Sequence, residues 1–155
     1  MIDQKRKANP ADFREVPGAQ STVHRLLTMD EFAVGIGTGG WHKPATVKLQ
    51  HVGIDYRDIF MSCADGRYTR EAIVQGSITP ALQKYPNIQR IVYVGDALWD
   101  VRTTRNMQIP FIGIRREGDK EVLKKEGADY VLEDYRDFEL FLEYVEKSLP
   151  PREPN

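Results

Sequence analysis

The chain has almost no cysteine: Cys63 stands alone among 155 residues, so no intrachain disulfide can staple the fold. An excess of either charge is also missing. Lysine plus arginine number 22 against 23 aspartate plus glutamate, a net charge of -1, which excludes a general electrostatic attraction for nucleic acid or an anionic membrane. No apolar run approaches the roughly 20 residues that span a bilayer. The opening MIDQKRKANPADFREV is polar where a secretory leader would be apolar. A cytoplasmic location, with neither nucleic acid nor membrane as partner, is the expectation. Internal repeats and low-complexity tracts are lacking as well. What remains is 41% apolar and 29% charged residues, the composition of an ordinary globular chain with one core.

Residues 1–15 are charged and aperiodic, with Pro10 and Pro17 against any helix there, and the tail PPREPN at 150–155 reads as equally loose. Between them, 16–149 reads as one domain in which short apolar runs alternate with amphipathic stretches. The strands are FAVGI (32–36), IFMSC (59–63), RIVYV (90–94), PFIGI (110–114) and YVL (130–132). Three of the five are apolar at consecutive positions, as parallel strands covered on both faces should be. Helices are expected over 19–28, 44–52, 70–85 and after residue 100. A last helix carries Phe138, Phe141, Leu142, Val145 and Leu149 as one stripe. Pro80 cannot donate to the carbonyl of Gly76, so the helix over 70–85 is expected to kink or break there. Strand followed by helix, repeated, gives an α/β fold: a doubly wound, mostly parallel sheet with helices on both faces and ligands at the carboxyl ends of the strands.

The polar residues that follow each strand are therefore the ones to inspect. After FAVGI comes Gly37-Thr38-Gly39-Gly40, and 35–40 fits GxGxxG, a turn that lets backbone amides approach a phosphate. A nucleotide or nicotinamide site would also want an acid about 20 residues on, at the end of the next strand. That strand ends at Ser62-Cys63-Ala64, with Asp65 a little beyond it. After RIVYV comes Gly95-Asp96-Ala97-Leu98-Trp99-Asp100. Two carboxylates four residues apart, at a strand end and a helix start, suit a hard cation such as Mg²⁺, which takes a few carboxylate oxygens and keeps its waters. Asp100 equally suits a helix cap.

These residues, in order, carry a resemblance. VPGA (16–19), GIGTGG (35–40), YTREAI (68–73), VYVGDALWD (92–100), IPFIGI (109–114) and GADYVLEDY (127–135) are similar to the haloacid dehalogenase superfamily, in particular its phosphoglycolate-phosphatase-like branch. The resemblance covers about 16–149. It implies a Mg²⁺-dependent hydrolase of the phosphate monoester of a small molecule. Thr38 would donate its hydroxyl to a phosphoryl oxygen, with Gly39 and Gly40 lending amides. Arg70 would offset the negative charges, a role for which Lys43 and the nearby Arg67 are rivals. Asp96 would hold Mg²⁺ directly or through water, and Asp100 would support it. Two anions must meet in such chemistry, and a metal and a cationic side chain remove their repulsion.

One departure is large. The family's DxDxT motif, which supplies the nucleophilic aspartate on a first strand, has no counterpart here; Asp3 and Asp12 neither follow a strand nor have an aspartate two residues on. Residues 1–15 then resemble the end of a cap whose remainder is absent together with that strand. The chain reads either as the carboxyl-terminal portion of a phosphatase-like hydrolase or as a nucleophile-less binding or interaction module, inactive as it stands and with Mg²⁺ weak or lost. In the family the missing strand lies between those matching FAVGI and RIVYV. Its absence would leave two unpaired edges, which either pair with each other or invite self-association.

Overall fold

Two small parallel sheets organise the residues described here, 15–115 and 120–154 of a computed structural model. The segment expected as a cap remnant, with Asp3 and Asp12, lies outside the described residues apart from Glu15. The chain is α/β, and it divides into two compact units: Ala19–Asn87, and Val16–Gly18 with the chain from Ile88 onward.

The first unit runs α1 (Ala19–Leu27), β1 (Gly35–Gly37), α2 (His42–His51), β2 (Phe60–Ser62) and α3 (Arg70–Lys84). β1 and β2 pair in parallel, with Gly35 opposite Phe60 and Gly37 opposite Ser62. Their carboxyl ends therefore share one edge, and the turns after Gly37 and Ser62 emerge side by side. α3 packs across both strands with Ile73, Val74 and Ser77 buried. Its start is set by Thr69, whose hydroxyl accepts the Ala72 amide at 3.1 Å. The expected break at Pro80 does not occur, and helix persists from Arg70 to Lys84. The buried positions all precede Pro80, so packing fixes the helix before the one missing amide is reached.

The second unit runs β3 (Tyr93–Gly95), α4 (Leu98–Asn106), β4 (Phe111–Ile114), α5 (Glu121–Lys125), β5 (Tyr130–Leu132) and α6 (Phe138–Lys147). All pairings are parallel in the order β3-β4-β5, with Tyr93 opposite Phe111 and Ile112 opposite Tyr130. Val101, Phe111, Leu123, Ala128 and Val131 form the core, and Tyr93 and Leu98 pack against it. Each large apolar side chain removed from water there contributes about 1.5–3 kcal/mol. α6 begins at Asp137, whose carboxylate accepts the Leu140 amide at 3.0 Å, and it buries Phe138 and Phe141. Leu149, expected on the same stripe, lies beyond the helix and is exposed.

The expectation of a loose tail also needs correction. Pro151 is buried, the Arg152 amide donates to Gly127 O at 3.0 Å, and Arg105 Nε donates to Arg152 O at 2.9 Å.

Of the strands read as apolar throughout, only β4 is buried at every residue. β1 and β3 each have one neighbour in their sheet and stay half-buried. Among the described residues the strands pair as one two-stranded and one three-stranded parallel sheet. Among the described residues no helix is long and apolar enough to cross a membrane.

Candidate functional site

In the first unit, two loops meet at the carboxyl edge of β1 and β2. The Thr38 amide donates to Ser62 O at 2.9 Å and the Ala64 amide to Gly40 O at 3.0 Å, so the turn after β1 is bound to the turn after β2. The Thr38 hydroxyl accepts the Gly40 amide at 3.1 Å. An acceptor role leaves the hydroxyl its own proton to donate, while the Gly40 amide is engaged and the Gly39 amide is the one left to face a ligand. Arg70 arrives from the first turn of α3. A Cβ added at Gly39 would stand 2.9 Å from Arg70 Nη1, so the guanidinium lies over the glycine, in space any other residue would fill.

The structure thus brings Thr38, Gly39, Gly40 and Arg70 together. Thr38 does not cap α2; Asp65 does, accepting the His42 amide at 2.9 Å. A carboxylate already sits at the positive end of α2, and that helix terminus is closed to a second anion. Lys43 is exposed in the first turn of α2. Arg67 turns inward, with Nη1 donating to Cys63 O at 3.3 Å and Asp65 O at 3.4 Å. Its Nε would lie 2.6 Å from a Cβ at Gly76, which would also strike the buried hydroxyl of Ser62. Arg67 therefore braces the loop, and Arg70 is the cation at the turn. Cys63 offers no nucleophile: burial pushes its thiol up, the Asp65 charge adds to this, and the thiol stays protonated at neutral pH.

In the second unit, the carboxyl edge holds Asp96 and Asp100 in different roles. Asp100 is buried at 2% exposure. Its Oδ1 accepts the Tyr93 hydroxyl at 3.0 Å, and its Oδ2 accepts the amides of Asp96 and Ala97, both at 3.3 Å. Both oxygens therefore serve the turn, and Asp100 is a positioning group for Asp96. Asp96 is exposed. Arg115, directly after β4, donates from Nη1 to Asp96 O at 3.2 Å. Among the described residues no three His, Cys, Asp or Glu side chains gather as a metal cage. The donor set fits one carboxylate reaching a largely hydrated Mg²⁺, and does not fit a cation held directly by both acids.

Tyr135, just past β5, has its phenol pushed up to about 12, chiefly by burial and further by the Asp96 charge. The neutral form is the folded form. Stability is unaffected below the ordinary tyrosine value near 10 and falls as pH rises from there toward about 12, because only the unfolded chain ionises in that window. Relative to Tyr135→Phe, the wild type is expected to lose about 2 kcal/mol between pH 9 and 12. Denaturant titrations at the two pH values check this, and parallel losses in both proteins would contradict it.

Sequence reasoning passed over Asp65 as a cap, Arg115 and Tyr135. Each stands within a few residues of a strand's carboxyl end, so position was a usable signal for all three. No protein-family model matches the chain, and no curated protein matches it.

Proposed function

We propose that the chain is the core of a haloacid-dehalogenase-like, doubly wound hydrolase for phosphate monoesters, and that as it stands it binds phosphate without turning it over. The observation that carries this reading is Arg70 Nη1 lying over Gly39, beside the Thr38 hydroxyl and the Gly39 amide. A guanidinium, a hydroxyl proton and an amide supplied at one turn suit a tetrahedral oxyanion. Arg70 offsets the phosphate charge, Thr38 and Gly39 orient it, and Asp65 keeps α2 in place behind the turn. In the second unit, Asp96 would offer one exposed carboxylate to a largely hydrated Mg²⁺. No residue in the proposed site can take up the phosphoryl group as the nucleophilic aspartate would, and a cradle without a nucleophile forms no covalent intermediate. The half-buried edges of β1 and β3 are where self-association between copies would occur.

Inorganic phosphate is expected to bind with a dissociation constant of about 1 mM, measured calorimetrically. Arg70→Ala should weaken it at least about tenfold, the loss of a charged hydrogen-bond partner, and Thr38→Val should weaken it less. With Mg²⁺ and an aryl phosphate the chain should show no turnover near the ordinary enzyme value of about 1 s⁻¹. Phosphate binding that is unchanged in Arg70→Ala, or turnover that is lost in Asp96→Ala, would overturn the reading.

A further inference from the structure

We propose that the ligand of the Thr38–Gly40 turn is a monophosphate carrying a flat aromatic ring, and that the ring lies against Trp41 and Tyr68. The inference rests on the cradle reading above and adds the other half of the ligand. Trp41 is 69% exposed and Tyr68 is 98% exposed. One large exposed aromatic side chain is ordinary on a protein surface. Here two of them are carried by the two joined loops that build the same turn.

Their placement follows from the backbone that builds the cradle. Trp41 comes directly after Gly40, and its carbonyl accepts the Ala45 amide at 3.1 Å as α2 begins. Tyr68 lies in the second loop, two residues before Arg70, whose guanidinium reaches back over Gly39. The two loops are joined by the Ala64 amide to Gly40 O at 3.0 Å and by the His42 amide to Asp65 Oδ2 at 2.9 Å. Both rings therefore stand on adjoining loops at the edge where the anion would sit. Tyr85, also exposed in this unit, is different: it follows the far end of α3 and rests edge-on against Phe60 at 6.1 Å.

The chemistry of the surroundings narrows the ligand. Trp and Tyr offer flat, polarizable faces to a flat ring, and such stacking tolerates many ring types. Asp65 occupies the start of α2 by accepting the His42 amide, so a phosphate chain finds donors only at the Thr38–Gly40 turn and Arg70. A single phosphate on an aryl group or on a nucleoside meets both conditions. A long polyphosphate does not.

The test uses the full chain with Trp99→Phe, which leaves Trp41 as the one tryptophan. Its fluorescence is followed during titration with phenyl phosphate, adenosine monophosphate, adenosine, glycerol phosphate and inorganic phosphate, with calorimetry in parallel. Phenyl phosphate and the nucleotide are expected to quench Trp41 and to bind about tenfold more tightly than glycerol phosphate or inorganic phosphate. Trp41→Ala with Tyr68→Ala should remove that excess and leave inorganic phosphate binding unchanged, since neither side chain belongs to the cradle. Equal affinity for ring-bearing and ringless phosphates would overturn the inference. So would a ring preference that survives the double substitution, or adenosine binding as tightly as its monophosphate. Phosphate binding that persists in Arg70→Ala would instead overturn the cradle reading, so the two failures are distinguishable.

Discussion

Replacement of Asp100 by alanine is expected to destabilise the second unit by about 3 kcal/mol, whereas Asp96→Ala should change its stability by less than about 0.5 kcal/mol. The two acids stand four residues apart and carry the same charge. Their surroundings separate them. Asp100 is buried, and its loss would strip an acceptor from the Tyr93 hydroxyl and from the amides of Asp96 and Ala97. Hydrogen bonds to a charged group contribute about 1.5–3 kcal/mol each when the partners are left unsatisfied, though not additively. Tyr93 packs on the core, its ring stacked with that of Phe111 at 6.3 Å, so its hydroxyl has little freedom to find water. Asp96 is exposed and removes no such acceptor. Urea unfolding followed through Trp99, in a Trp41→Phe background, reports the second unit directly. An Asp100→Ala variant within about 1 kcal/mol of its parent would refute the positioning role.

The contrast between these acids also marks what the sequence could reveal. A strand's carboxyl end was legible from four apolar residues followed by Gly95-Asp96, because a period of consecutive apolar residues and a polar stop are local features. The direction in which Asp100 points was not, since it depends on the hydroxyl of Tyr93, seven residues earlier at the start of β3. The same division holds in the first unit. That Thr38 and Arg70 each follow a strand was readable. That Asp65, and no residue of the 37–40 turn, would take the His42 amide needed the two loops side by side.

Burial on both faces was overestimated for β1 and β3. Apolar runs foretell coverage only where other elements pack over both faces, and β1 and β3 stay partly exposed. Helix α5 escaped notice because five residues are too few to show a period. Pro80 misled in the other direction: a missing amide weakens a helix locally, and tertiary packing of Ile73, Val74 and Ser77 prevailed.

The tail supplies the second large effect, and Gly127→Ala is expected to cost about 2–3 kcal/mol. Gly127 adopts φ +115, in the region that favours glycine. A Cβ there would overlap the Arg152 carbonyl group and stand 3.1 Å from the Arg152 amide nitrogen. The obstacle is backbone, so the tail itself must move. That carbonyl is held by Arg105 Nε at 2.9 Å, and the Arg105 guanidinium also donates to Glu126 O. Displacement would therefore break a connected set of bonds. It would also expose Pro151. Trypsin is expected to cut after Arg152 at least about tenfold faster in Gly127→Ala, in proportion to the opened population. A double-mutant cycle with a chain ending at Leu149 isolates the cause. Without the tail the substitution should keep only its backbone strain, about 1 kcal/mol. Equal costs with and without residues 150–155 would place the strain in the turn alone and deny the tail its packed role.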